Sequence, residues 1–314
     1  MTGSPRFLVA GESLVDIVVP ADGGPRHDAV GGSCLNVAVG LSRLDVPTTL
    51  VTRVGEDDLG RLVVDHVHAS GVTLSEGSVV PGVVTSTATA HLDEGHGATY
   101  DFELDWDLPA PDLPSDALGL HVGSLGATLE PGREAVVGLA RMAAEADVFV
   151  SYDPNIRAFF LTDADAAWRD VVELGSLCRL VKLSDEDLRL LRPGTPEDEV
   201  CLELLSGDQT ELVVLTRGGE GATAYAEGSV LRVPAPATDL VDTVGAGDSF
   251  MAAMLAMLCD WDVVVGGEGA LRALDDSRVE LLVRGAARAA AVTCSRRGAN
   301  PPTRAELPPT WPAG

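Results

Sequence analysis

The stretch D-T-V-G-A-G-D-S-F, residues 242–250, stands directly before an apolar helical run that ends at Leu258. Gly245, Ala246 and Gly247 have almost no side chain, so a ligand can come close to their backbone N–H groups. At a helix N-terminus those free N–H groups and the helix dipole favour negative charge. Asp248 then sets a carboxylate beside this anion hole, an unfavourable place unless a proton or a cation is handled there. A base beside a phosphate cradle is what phosphoryl transfer to a hydroxyl requires. The spacing fits equally an Asp that caps a helix after a Gly turn.

Outward from this segment, short β-rich apolar runs alternate with helical patterns. Strands are predicted at 7–10, 48–54, 118–122, 147–152, 180–183 and 212–216, and helices at 34–44, 57–69, 133–145 and 165–174. Such alternation implies βαβ units, hence a doubly wound α/β fold with a mainly parallel sheet and helices on both faces. Further runs at 14–19, 83–92 and 98–104 have no helix among them, and L-D-E-G-H-G-A-T-Y at 92–100 offers Gly and Asp for a hairpin turn. They predict a small antiparallel flap, its strands within 12–30 and 83–105. A second hairpin is predicted near 224–231, a short surface tail after Asn300, and 261–277 reads as an insertion. No internal repeat or Pro/Gly/Ser-rich linker divides the chain, so one domain over 1–314 is expected.

The chain has 314 residues, 46% of them hydrophobic, enough for a large core. Lys and Arg total 22 against 48 Asp and Glu, a net charge of -26. That balance excludes a general nucleic-acid binder, which needs a basic face, and disfavours docking on anionic lipid. Lys182 is the only lysine. Five scattered cysteines, with no C-x-x-C pair, form neither a disulfide framework nor a zinc pattern and suit a reducing compartment. Gly11, Glu12 and Asp16 interrupt the apolar N-terminal stretch, and no run approaches the ~18 apolar residues of a membrane span. A soluble, cytoplasmic protein is expected.

The 242–250 segment closely resembles the C-terminal signature of the ribokinase-like (PfkB) carbohydrate kinases. Other motifs follow in the family's order. Gly31-Gly32, Asn36 and Ala38, then Gly55, Asp57 and Gly60 in V-G-E-D-D-L-G, resemble the N-terminal signature. D-P-N-I-R at 153–157 resembles a central motif of the fructokinase branch. V-L-T-R-G-G-E-G-A is similar to the nucleotide-side strand and turn, and C-S-R-R-G-A-N-P-P to the C-terminal segment. The likeness covers about residues 7–303.

The resemblance implies a set of roles. Asp248 would take the proton from a sugar hydroxyl, while Gly245, Ala246 and Gly247 hold the charge of the transferring phosphoryl group. Asp16, Gly32 and Asn36 would grip sugar hydroxyls, and Gly31-Gly32 would be the hinge beneath a flap whose closure excludes water. Thr216, Gly218 and Gly221, with Gly298 and Asn300, match the ATP side. Asp242, with carbonyls around Val244 and Ser295, matches a monovalent-cation site, for potassium. Magnesium would arrive with ATP. A homodimer through the flap is also implied.

Departures from the pattern are local. Cys34 and Asp45 replace small residues on what is read as one helix, so a packing change is expected there. S-D-E-D at 184–187 stands where the family has N-x-x-E near magnesium; Asp187 is one methylene short, its contact weakened or shifted, and it is left out of the metal set.

Rival motifs are weaker. G-E-G-A-T-A at 219–224 matches a dinucleotide fingerprint, but a hairpin follows it rather than the helix a dehydrogenase needs. No G-x-x-x-x-G-K-[ST] occurs, which removes a P-loop enzyme. The six histidines include one H-x-H on a helix, where the two rings face apart, so surface or core positions are expected. Asp101, Glu103, Asp105 and Asp107 fit a solvated strand edge. Tyr100, Phe102 and Trp106 fit flap packing, a sugar platform or a dimer contact; Arg157 fits an ion pair or substrate.

Charge then narrows the acceptor. Asp16 can accept hydrogen bonds from neutral sugar hydroxyls and would repel an acid sugar, as would the acidic flap. The family's keto-acid kinases offer cations in the flap, and the 83–105 part of this flap has no Lys or Arg. The expectation is an ATP-dependent kinase of a neutral hexose, fructose at its 6-hydroxyl. Alternatives are a 2-keto-3-deoxygluconate kinase, ribokinase or nucleoside kinase of the same family, and a non-catalytic sugar-binding regulator.

Overall fold

The apolar runs become strands because alternate side chains are claimed by two helical layers. In β1 (Arg6–Ala10), Phe7 and Val9 enter one core and Leu8 and Ala10 the other. The computed structural model describes residues 5–22, 24–92 and 98–311, and places them in a single sequence of strands and helices. After β1 come β2 (Leu14–Val19), β3 (His27–Gly31), α1 (Ser33–Arg43), β4 (Thr48–Val51), β5 (Val54–Gly55) and α2 (Asp58–Ala69). Next are β6 (Thr73–Leu74), β7 (Val79–Val80), β8 (Thr87–Leu92), β9 (Ala98–Glu103), β10 (Ala117–Gly123) and α3 (Gly132–Glu145). Then follow β11 (Phe149–Asp153), α4 (Ala164–Gly175), β12 (Leu180–Ser184), α5 (Asp185–Leu191), α6 (Glu197–Leu205) and β13 (Leu212–Thr216). The chain closes with β14 (Ala222–Ala226), β15 (Ser229–Val233), α7 (Ala246–Asp260) and α8 (Asp276–Cys294).

Nine strands form the main sheet in the order β15-β14-β13-β12-β11-β10-β1-β4-β6. All neighbours are parallel from β6 to β13, and β14 and β15 add an antiparallel hairpin. Helices α1, α2, α7 and α8 cover one face, while α3, α4, α5 and α6 cover the other. The chain runs outward from β1 through β4 in one direction and from β10 through β13 in the other. Ligands of open α/β sheets bind at such a reversal, beyond the carboxyl ends of the strands. The lid is a separate four-stranded sheet, β3-β2-β8-β9, whose outer pairs are antiparallel and whose middle pair, β2 with β8, is parallel.

Several sequence expectations shift. The run at 48–54 breaks at Val51, and Val54–Gly55 pairs instead with Val79–Val80. The lid strand starts at Thr87 rather than 83, because the Asp57 carboxylate captures Thr85 through its N–H at 2.8 Å and its hydroxyl at 2.7 Å. Asp45 lies just beyond α1, not on it, at φ 66, the left-handed position that commonly ends a helix. Cys34 is on α1, fully buried against Gly11, with its thiol donating to the Gly123 carbonyl. The segment after Asn300 is no surface tail: Pro301, Pro302 and Leu307 are buried, and Arg304 donates to the Leu44 carbonyl at 2.7 Å. Residues 261–277 also pack inward, with Val263, Val264 and Leu271 in the core and the Glu211 carboxylate taking the N–H groups of Gly269 and Arg272. The tip of the lid hairpin at 93–97, with His96, lies outside the described residues.

Candidate active site

Gly245 precedes α7 at φ 73, where a side chain would strain the backbone and strike Ala299. This lets the chain turn sharply into the helix, the Ala246 N–H closing the turn on the Thr243 carbonyl at 3.2 Å. No side chain caps that end. Helix α7 itself is buried without a break from Asp248 to Leu258, so the turn rests on a rigid rod through the core.

Asp248, in the first turn of α7, is 6% exposed. Ser33 Oγ donates to its Oδ1 at 2.7 Å, and Asn36 Nδ2 donates to its Oδ2 at 2.8 Å. Asn155, from D-P-N-I-R, donates in turn to Ser33 Oγ at 2.9 Å. Three segments distant in sequence thus meet at one carboxylate. Beneath α1, Glu12 is buried and accepts from the N–H groups of Ser33 and Gly126, both at 2.9 Å. Burial raises the Glu12 carboxyl pKa, and those two N–H groups and the Arg157 charge work against the rise.

Gly32 is the N-cap of α1 at φ 111, and Gly31 ends lid strand β3, so the pair is the junction between lid and core. A Cβ on Gly31 would lie 2.3 Å from Asp16 Oδ2. Asp16 therefore lies against bare backbone, exposed on the lid. Crowding by protein atoms raises its carboxyl pKa and Arg157 lowers it, so Arg157 faces both Asp16 and Glu12. Just beyond Arg157, Phe159 and Phe160 stand 4.6 Å and 5.0 Å from Phe102 of β9, ring centre to ring centre. Of the three aromatic residues left open by sequence, Phe102 packs the lid onto this turn. Trp106 is buried and donates to the Gly126 carbonyl at 3.0 Å, while Tyr100 is 55% exposed.

The nucleotide-side residues group separately. Thr216, ending β13, donates to the Leu183 carbonyl at 3.3 Å, and Gly218 and Gly221 follow at φ 46 and 103. Asp242 binds the next loop: its Oδ2 accepts from Gly298 N at 2.8 Å and its Oδ1 from Val244 N at 3.1 Å, which hold its carboxyl below the usual range. Val244 and Ser295 are exposed, and the Ser295 hydroxyl donates to the Val292 carbonyl. Asn300 Oδ1 is taken by Arg43 at 2.5 Å, which makes Asn300 a link between α1 and the C-terminal segment.

Two site features escaped the sequence reading. Asp187 does not reach outward: its Oδ2 accepts from Ser184 N and Oγ at 2.7 Å, and its Oδ1 from Ile156 N at 2.6 Å. It ties D-P-N-I-R to the start of α5. Lys182 and Asp153 form a buried ion pair at 2.6 Å. Burial opposes the charge on Lys182, but Asp153, Asp187 and Asp248 outweigh it and hold its ammonium above the ordinary lysine value. A charged residue within the apolar strand L-V-K-L was the available signal. Among the described residues, no three His, Cys, Asp or Glu side chains gather into a metal cage.

Comparison with known proteins gives the family and the fold. The sequence model described as pfkB family carbohydrate kinase matches residues 11–306. A fructokinase from Rhizobium leguminosarum bv. trifolii is 33% identical over 265 residues, 80% of this chain and 79% of that protein. The crystal structure of a fructokinase with bound ATP from Xylella fastidiosa superposes with a TM-score of 0.82 at 25% identity, over 96% of this chain and 95% of that one. A fructokinase from Vibrio cholerae O395, solved in a form with fructose, ADP and calcium ion bound, gives a TM-score of 0.76 at 25% identity over 94% of both chains.

Proposed function

Because the chain belongs to the pfkB family of carbohydrate kinases, we propose that it transfers the γ-phosphoryl group of ATP to the 6-hydroxyl of fructose. The observation that carries this reading is the Asp248 carboxylate, held from two sides by Ser33 and Asn36 at the mouth of the Gly245–Gly247 turn.

In the reaction, the sugar hydroxyl oxygen attacks the γ-phosphorus and its proton passes to Asp248. The bond from phosphorus to the β–γ bridging oxygen breaks, and ADP leaves with that oxygen. The N–H groups of Gly245 and Gly247, with the N-terminal end of α7, hold the charge on the transferring group, and Ala246, whose N–H is taken by the Thr243 carbonyl at 3.2 Å, completes the turn. Asp16, Gly31, Gly32, Asn36 and Arg157 form the sugar side. Asp16 accepts from neutral hydroxyls, and its charge disfavours a sugar acid. Thr216, Gly218, Gly221, Gly298 and Asn300 form the nucleotide side.

Magnesium would enter as part of the MgATP substrate and neutralise phosphate charge. A monovalent ion, potassium in the first instance, would rest on Asp242 and the carbonyls near Val244 and Ser295. The fit is that the two loops already meet there, Asp242 N donating to the Cys294 carbonyl at 3.1 Å. The ion would stiffen the approach to the anion hole. The same reading makes residues 1–314 one kinase domain, acting in the cytoplasm and pairing with a second copy through its lid. Among the described residues no helix is long and apolar enough to cross a membrane.

The test is ADP release from MgATP with fructose, ribose, tagatose, glucose, adenosine and 2-keto-3-deoxygluconate. Preference for fructose supports the reading. Preference for the keto-acid would overturn the charge argument from Asp16, and no turnover with any acceptor would favour a sugar-binding regulator.

A further inference from the structure

Lys182 is 3% exposed and projects from β12 to the point where that strand faces the α7 turn. A Cβ built on Gly247 would lie 3.1 Å from its Nζ, so the ammonium touches the anion-hole turn. An ammonium carries three protons. One is used, on Asp153 Oδ2 at 2.6 Å, and among the described residues the other two have no acceptor. Asp153 Oδ1 is likewise buried without a partner.

A cation beside a helix N-terminus is electrostatically misplaced, since both are positive. Desolvation adds to the cost. An anion seated between the two removes the conflict. On the phosphoryl-transfer reading above, such an anion arrives in every turnover. We propose that Lys182 is a catalytic residue: held by Asp153, it donates its unused protons to the oxygens of the phosphoryl group in the 245–247 turn. It stays protonated throughout, and Asp153 is its positioning residue. The bonds made and broken are those already described.

Replacing Lys182 alone would strand the buried Asp153 charge and threaten folding, whereas in D153N the Lys182 ammonium keeps the charges of Asp187 and Asp248 nearby. The comparison is therefore between D153N and the double variant K182M/D153N, both checked for folding by near-UV circular dichroism. With the lysine kept, kcat for sugar phosphorylation is expected to fall less than tenfold in D153N. With it removed, kcat falls about 10²–10³-fold, the scale for losing one preorganised donor, and sugar KM stays within about threefold. The second readout is binding of MgADP with aluminium fluoride, a mimic of the transferring group. Wild type and D153N should bind the mixture more tightly than MgADP alone, and the double variant should lose that gain. Equal kcat in the two variants, or an undiminished gain in the double variant, overturns the proposal. If wild type turns over no sugar yet shows a gain that K182M/D153N lacks, the sugar reading falls and Lys182 keeps its role.

Discussion

Ser33 Oγ lies 2.7 Å from Asp248 Oδ1, although 215 residues separate them. This single contact joins the junction of lid and core, which ends at Gly32, to the N-terminal turn of α7. A base held by two donors keeps one orientation, and proton transfer depends on that orientation.

Replacing Asp248 with Asn keeps the size and the Ser33 contact but removes the proton acceptor. Sugar affinity by calorimetry is expected to stay near the wild-type value while kcat drops by roughly 10²–10⁴. Turnover near wild type would take the base role from Asp248.

On the proposed function, Asp16 is the carboxylate that would distinguish neutral from acidic acceptors. In D16N the charge-assisted hydrogen bonds are lost, and sugar KM should rise by about 10- to 100-fold, from ~1.5–3 kcal/mol per such bond. The same variant should narrow the gap between fructose and a sugar acid, read as the ratio of kcat/KM.

The lid is fastened to the turn after Arg157 by Phe102 on Phe159 and Phe160. Aromatic pairs of this kind contribute ~0.5–1.5 kcal/mol beyond their buried area. F102A should therefore leave the lid open more often, admitting water. The expected sign is more ADP released than sugar phosphate formed, with sugar KM raised several-fold. A one-to-one ratio in F102A would remove the clasp from its gating role.

His121 on β10 is fully buried with Ser151 at 3.0 Å, and burial, then the Lys182 charge, push its pKa down to about 3. Its folded value lies below the unfolded one of about 6.5, so the unfolded chain binds the extra proton as pH falls. Stability from this group is complete above pH ~6.5 and declines toward its folded value, by at most ~1.4 kcal/mol per pH unit. H121Q should flatten that decline between pH 6.5 and 5 in urea unfolding. An unchanged slope would exclude His121 as its source.

What could be read in the sequence was what is local. D-T-V-G-A-G-D-S-F combines a Gly turn with a helical pattern, so the turn at Gly245 and the place of Asp248 in the first turn of α7 were legible, and so was the alternation that makes the doubly wound sheet. Gly32 and Asn36 were placed by the neighbouring motif. Lys182 was not legible, because its partner Asp153 comes from the adjacent strand and only pairing of β11 with β12 joins them. The partners of Asp187, left out of the metal set, were not legible for a similar reason: its short side chain folds back on Ser184 and reaches Ile156. Proline content made residues after 300 look external, whereas Pro301 and Pro302 are buried.

That last segment braces the 245–247 turn from behind. Ala299 packs on Gly245, Asn300 is gripped by Arg43, and Arg304 ties to Asp260 at the end of α7. A chain released early, lacking these residues, would still hold Asp248 and every sugar-side residue. It would lack the buttress of the turn that cradles the phosphate. On the proposed function, the C-terminal segment is thus a brace for phosphoryl transfer and not a part of the sugar pocket.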